Sequence, residues 1–134
     1  MTSLATLPGF LTHFIAGIAL VGLGAWAYTR ITPIDEVKLI REGNTAAAIA
    51  FTGAVIGLAI PIASSVSHSA NLVDAAVWGL VALVAQLACF VAVTRLLGPG
   101  WRAALEERAE PAGAIVTGGV AIAVGIVNAA AMST

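Results

Sequence analysis

The chain has little charge, one cysteine and no grouping of residues that could do chemistry, and each shortage narrows what it can be. Of its 134 residues only 10% are charged, six Lys and Arg against seven Asp and Glu, whereas a soluble domain carries roughly 25%. The net charge of −1 leaves no basic patch for nucleic acid. Cys89 stands alone in an apolar run, which excludes an intramolecular disulfide and a thiolate metal cluster. It reads as a small buried or lipid-facing side chain. No nucleophile–base set, phosphate-binding glycine loop or metal-ligand cluster is present. No enzyme activity, metal or cofactor is therefore expected. Paired imidazoles in a helical bundle can hold a haem or a metal. His13 and His68, both expected near the outer surface with no further ligands, instead read as solvated or hydrogen-bonded.

What the chain does have is apolar length. It is 60% hydrophobic with a mean hydropathy of +1.01. Four long apolar segments, about 10–28, 44–66, 75–97 and 111–132, each supply the ~20 residues that a hydrocarbon core requires. In lipid the backbone polar groups must be satisfied internally, so helices are the reading. The expected fold is an all-α membrane protein, a single integral domain over 1–134 with no room for an extramembrane domain. The N-terminus lacks the basic start and small-residue cleavage site of a secretory signal, so the first run is expected to be a retained helix.

All six basic residues fall in or beside two connections. Arg30, Lys38 and Arg41 lie between the first and second spans, and Arg95, Arg102 and Arg108 at or between the ends of the third and fourth. The termini and the 67–74 connection carry none. The positive-inside rule puts both basic connections in the cytoplasm and both termini outside. Each connection reads as a short amphipathic helix at the membrane surface. In the first, Thr32 is the expected N-cap, Pro33 the first helical residue and Gly43 the stop, with Asp35 and Glu36 in the first turn. In the second, Pro99 opens the helix, Trp101 anchors at headgroup level, and Pro111 ends it and starts the next span. The carboxylates read as a solvated turn or as a docking surface for a soluble partner.

The stretch 43–68 organises the rest. On a 3.6-residue wheel Ala46, Ala50, Gly53, Gly57, Pro61, Ser64 and His68 share about one quarter of the circumference, while Ile49, Phe51, Ile56 and Ile60 point elsewhere. So smooth a stripe suits close contact with another helix. A shift of 66 residues pairs Ala46-Ala-Ala-Ile49 with Ala112-Gly-Ala-Ile115, Gly53 with Gly119 and Ile56 with Ile122. Upstream, Thr29-Arg30 matches Thr94-Arg95 at a shift of 65. The chain thus reads as two helical hairpins of one sense, about 10–68 and about 75–133, related by a pseudo-axis along the membrane normal.

The bilayer centre holds no ionisable side chain, which counts against a proton-coupled pump or a carboxylate-lined channel. Gln86 is the strongly polar side chain near mid-membrane and reads as an interhelical hydrogen-bonding group or a substrate contact. Asn128 shares a face with Thr117 and Ala121, and Ser64 lies at comparable depth. These read as polar adhesive between repeats or as the outer mouth of a pore.

Taken in order, Tyr28-Thr-Arg-Ile-Thr-Pro33, Gly43-Asn-Thr-Ala-Ala-Ala-Ile-Ala-Phe51, Ile56-Gly-Leu-Ala-Ile-Pro61, Trp78-Gly79, Gln86-Leu87 and Asn128-Ala-Ala-Ala-Met-Ser133 give the chain a family likeness. It resembles the YjfL-like bacterial inner-membrane proteins, the domain-of-unknown-function family numbered three-fifty. The resemblance covers essentially the whole chain. It implies a multi-pass plasma-membrane protein, often with two tandem copies of the domain, without assigned activity or catalytic residues. Family members commonly occur beside genes for envelope-stress and phage-shock-type proteins, which implies a membrane-maintenance setting. Ala131 stands where the family motif would carry Cys, so no redox role is expected there. Two functions are expected to compete. One is a self-associating scaffold or partner protein, a homo-oligomer that meets a cytoplasmic membrane-associated protein. The other is a small oligomeric channel or carrier lined by Gly/Ser/Asn faces.

Overall fold

A computed structural model describes residues 6–32, 35–69, 71–98 and 100–132. Pro33, Pro99 and the Trp101 side chain, which carry helix-opening and anchoring expectations, lie outside the described part. All regular structure in that part is helical: α1 (Leu7–Ile31), α2 (Glu36–Arg41), α3 (Thr45–His68), α4 (Leu72–Leu97), α5 (Gly100–Arg108) and α6 (Ala112–Met132). α1, α3, α4 and α6 have 25, 24, 26 and 21 residues, which at 1.5 Å per residue is about 30–40 Å, enough to cross a bilayer core. The protein is an all-α membrane protein with four helices of membrane-spanning length and hydropathy.

The helix ends follow from local chemistry. Asn44 caps α3 by accepting from the Ala47 N–H at 3.0 Å, and Asn71 caps α4 by accepting from the Asp74 N–H at 2.9 Å. α2 ends in a Schellman turn, where Asn44 N–H bonds to the Leu39 carbonyl at 2.9 Å and Gly43 N–H to Ile40 at 3.0 Å. That turn needs a left-handed residue, and Gly43 supplies it at φ +86°.

The start of α2 differs from the sequence expectation. Asp35, not Thr32, is its N-cap, accepting from the Lys38 N–H at 3.2 Å. Thr32 instead closes α1, its N–H bonding to the Tyr28 carbonyl at 3.0 Å. α1 therefore continues past the Arg30 charge, whose head lies 5.4 Å from the Trp26 ring centre, and the capping role passes to the next good acceptor along the chain.

α3 is the central helix, packed against α1, α4 and α6. Its buried residues fall on two faces. Ala46, Ala50, Gly53, Gly57 and Pro61 form one, and Ala54, Leu58 and Ile62 form another. The second face joins Leu20 and Leu83 in a mid-bundle cluster, with Tyr28, Ala54 and Phe90 in a cluster beside it. α1 is peripheral, burying Leu20, Gly24 and Tyr28 while Phe14, Ile15, Ile18 and Trp26 stay exposed. Such exposed apolar side chains suit lipid, which is as apolar as they are. α5 is pinned at the same end as α2, since Leu105 is almost fully buried and its carbonyl accepts from Asn44 Nδ2 at 2.8 Å.

Candidate functional site

The distinctive geometry is the seam between α3 and α6, the most extensive helix pairing in the molecule. Gly53 meets Gly118 backbone to backbone: a Cβ on Gly53 would sit 2.8 Å from the Gly118 carbonyl carbon. Four residues on, a Cβ on Gly57 would overlap the Ala121 carbonyl and lie 2.8 Å from Gln86 Nε2. Residue numbers rise together along the two helices, so they run parallel. Gly53 with Gly118, and Ser64 with Ala129, keep the same offset along the chain. Without Cβ atoms the backbones approach closely and gain dispersion contacts along their length.

Pro61 has a specific place in this seam. It lacks the N–H that would bond to the Gly57 carbonyl four residues back, and that carbonyl lies against Gly125, where a Cβ would overlap it. A neighbouring helix thus covers the backbone oxygen that the proline leaves without its usual donor, with a Gly125 Cα hydrogen directed at it. Pro61 itself is fully buried.

Polar side chains tie the helices together. Gln86 on α4 donates from Nε2 to the Ala121 carbonyl on α6 at 2.6 Å. Asn128 on α6 donates from Nδ2 to the Ala82 carbonyl on α4 at 3.0 Å. Ser64 donates to the Ala129 carbonyl at 3.3 Å. Thr117, also buried, donates to the Ala114 carbonyl of its own helix at 3.2 Å. His68 lies outside the seam, exposed, with Nδ1 2.9 Å from the Ser64 carbonyl. His13 makes the same contact with the Gly9 carbonyl at 2.8 Å. Both histidines are engaged within their own helices. The structure thus brings Gly53, Gly57, Pro61, Ser64, Gln86, Thr117 and Asn128 around α6 and leaves His68 at its outer edge.

Sequence reasoning missed two features. Gly118 and Gly125 complete the seam, whereas Gly119, the residue paired with Gly53 by sequence shift, has open space beside it. A seven-residue spacing of Gly118 and Gly125 was the available signal. The second is Glu36, expected in a solvated turn but only 3% exposed. Thr32 donates its hydroxyl to Glu36 Oε1, while no donor among the described residues reaches Oε2. Burial pushes the Glu36 carboxyl above its ordinary value, the Thr32 hydrogen bond opposes this, and the neighbouring Asp35 charge adds to it.

Four apolar helices closed by a glycine seam and sparse backbone-directed hydrogen bonds define a multi-pass integral membrane bundle. The chain belongs to the family described as Domain of Unknown Function (DUF350), which matches residues 1–132. It is 38% identical over 133 residues to the UPF0719 inner membrane protein YjfL of Escherichia coli strain K12, covering 99% of both chains. The same protein of Escherichia coli O157:H7 matches equally. No solved structure matches.

Proposed function

We propose that the protein is a structural scaffold of the bacterial inner membrane that self-associates and presents its charged connections to a cytoplasmic membrane-associated protein, in the service of membrane maintenance. The observation that carries this reading is the closure of the glycine faces within one chain. A channel or carrier lined by the Gly/Ser/Asn faces, the alternative, needs those faces open to a path. Gly53, Gly57, Gly118 and Gly125 instead lie against backbone of the same chain, with Gly53 and Gly118 also bordering an apolar groove on one side of the seam.

In this reading the basic asymmetry sets both connections in the cytoplasm and both termini outside. α2 and α5 then form one platform around the N-termini of α3 and α6, with Lys38, Arg41, Glu106 and Glu107 exposed. The two hairpins, 10–68 and 75–133, are duplicated units. Support comes from the seam, whose Gly53–Gly118 offset equals the shift that aligns Thr29-Arg30 with Thr94-Arg95. A second copy seats on the open side of the seam, an apolar groove lined by Ala48, Thr52, Ile56, Gly119 and Ile122, where small residues permit close approach.

The test places a photo-crosslinking residue in living cells at Lys38, at Glu107, or at lipid-facing Ile18. One discrete adduct from the first two positions and none from Ile18, abolished by Glu106→Lys with Glu107→Lys, supports the scaffold. No adduct at either platform position, together with ion flux through vesicles carrying the purified protein, overturns it.

A further inference from the structure

We propose that a small, partly open cavity between the helices is a binding site for one water molecule, held by Gln86 and Thr117. The cavity lies where α4 and α6 meet α3, and Gln86, Thr117, Cys89, Ala121 and Leu58 are among its lining residues. Its volume is about 20 Å³, above the roughly 10–15 Å³ that one water centre needs. Volume alone leaves a cavity dry when the walls are apolar. These walls are not uniformly so.

Gln86 is 5% exposed. Its Nε2 is committed to the Ala121 carbonyl, and that bond fixes the orientation of the amide, because the reverse assignment would set two carbonyl oxygens against each other. Oε1 is left as a buried acceptor that no donor among the described residues reaches. Thr117, on the facing helix, uses its hydroxyl hydrogen on the Ala114 carbonyl, so its oxygen has lone pairs but no hydrogen to offer Gln86. Tyr28 and Cys89 also line the cavity, but neither reaches Oε1, so Gln86 Oε1 and the Thr117 oxygen both face it as acceptors. Two acceptors cannot bond each other, but a water has two hydrogens and satisfies both. In a hydrocarbon surrounding, an unpaired amide oxygen is costly, and a bridging water is nearly as good as a direct bond. The site therefore takes a small donor of two hydrogen bonds and rejects a lipid chain, which has none to give.

Gln86 is the single glutamine of the chain, so glutamine labelled with nitrogen-15 in its side chain gives one amide signal, and a second sample labelled at backbone nitrogens supplies the reference residues. The full-length protein in lipid bilayers is studied by water-edited solid-state NMR. The site predicts that magnetisation reaches the Gln86 amide from water as fast as it reaches exposed Glu42. Thr117→Val, which removes one acceptor, causes loss of that transfer while the backbone spectrum is kept, and Thr117→Ser restores it. Transfer as slow as at lipid-facing Ile18 in the native protein, or transfer from lipid acyl protons in place of water, overturns the proposal. The native measurement stands on its own should Thr117→Val fail to fold.

Discussion

Gly57 on α3 lies directly against the Ala121 carbonyl on α6, and the Gln86 amide that bonds to that same carbonyl passes beside it. A missing side chain on one helix is what lets a polar side chain on a second reach the backbone of a third. The seam and the Gln86 hydrogen bond are therefore one construction.

Substitution at Gly57 should damage both at once. Gly57→Leu overpacks the seam, and overpacked cores typically lose ~1–3 kcal/mol. Ile56→Leu, on an exposed side chain one position away, conserves volume and should leave stability nearly unchanged. Gly22→Ala on α1, away from the groove proposed for the second copy, is a second control, because nothing lies within 4 Å of its added carbon. Thermal unfolding and apparent size in mild detergent make the comparison. Equal behaviour of Gly57→Leu and Ile56→Leu would mean that the seam contributes nothing.

Gln86→Leu should be tolerated. The change removes the hydrogen bond and the group that needs it together, and such bonds in membrane proteins average only ~0.6 kcal/mol. It also removes the Oε1 atom, which no donor among the described residues reaches. Folding and size in detergent should match the native protein within about 1 kcal/mol. Loss of folding would contradict this account of Gln86.

Glu36 predicts a pH dependence of stability. Its folded-state pKa is raised by burial, so the folded protein binds more protons than the unfolded chain above the ordinary carboxylate range. The contribution is fully present at low pH and is lost as pH rises through the raised value. Glu36→Gln keeps an acceptor for Thr32 and cannot ionise. The melting temperature of the native protein should therefore fall further than that of Glu36→Gln between pH 5 and pH 8. Parallel profiles for the two would contradict the burial of a titrating carboxyl.

How much of this was legible in the sequence depends on what the signal was made of. The four spans were legible because length and hydropathy are properties of the chain alone. The Ala46–Gly53–Gly57–Pro61 face was legible because small residues in a membrane helix have few uses besides close packing. The second buried face of α3 was not. Leu58 and Ile62 are fully buried, yet in lipid an apolar side chain suits the inside and the outside equally, so periodicity cannot separate them. Glu36 was read as solvated because a carboxylate is charged by default. Nothing in the local sequence shows that the folded chain buries it with the Thr32 hydroxyl donating to its Oε1.

The basic asymmetry predicts topology. A cytoplasm-active reporter inserted after Glu42 should be active, and one fused after Thr134 inactive. The opposite pair of results would invert the bundle and remove the cytoplasmic platform.

The closure of the seam inside one chain is tested most directly by the Gly53–Gly118 contact itself. The protein is labelled with carbon-13 at glycine Cα, diluted into an excess of unlabelled chains, and placed in bilayers for solid-state NMR. The account predicts that the Gly53–Gly118 cross-peak keeps its full intensity per labelled chain at every dilution, since both partners belong to one molecule. A cross-peak that fades as labelled chains are diluted would place the two glycines on different molecules, and the closed bundle described above would be wrong.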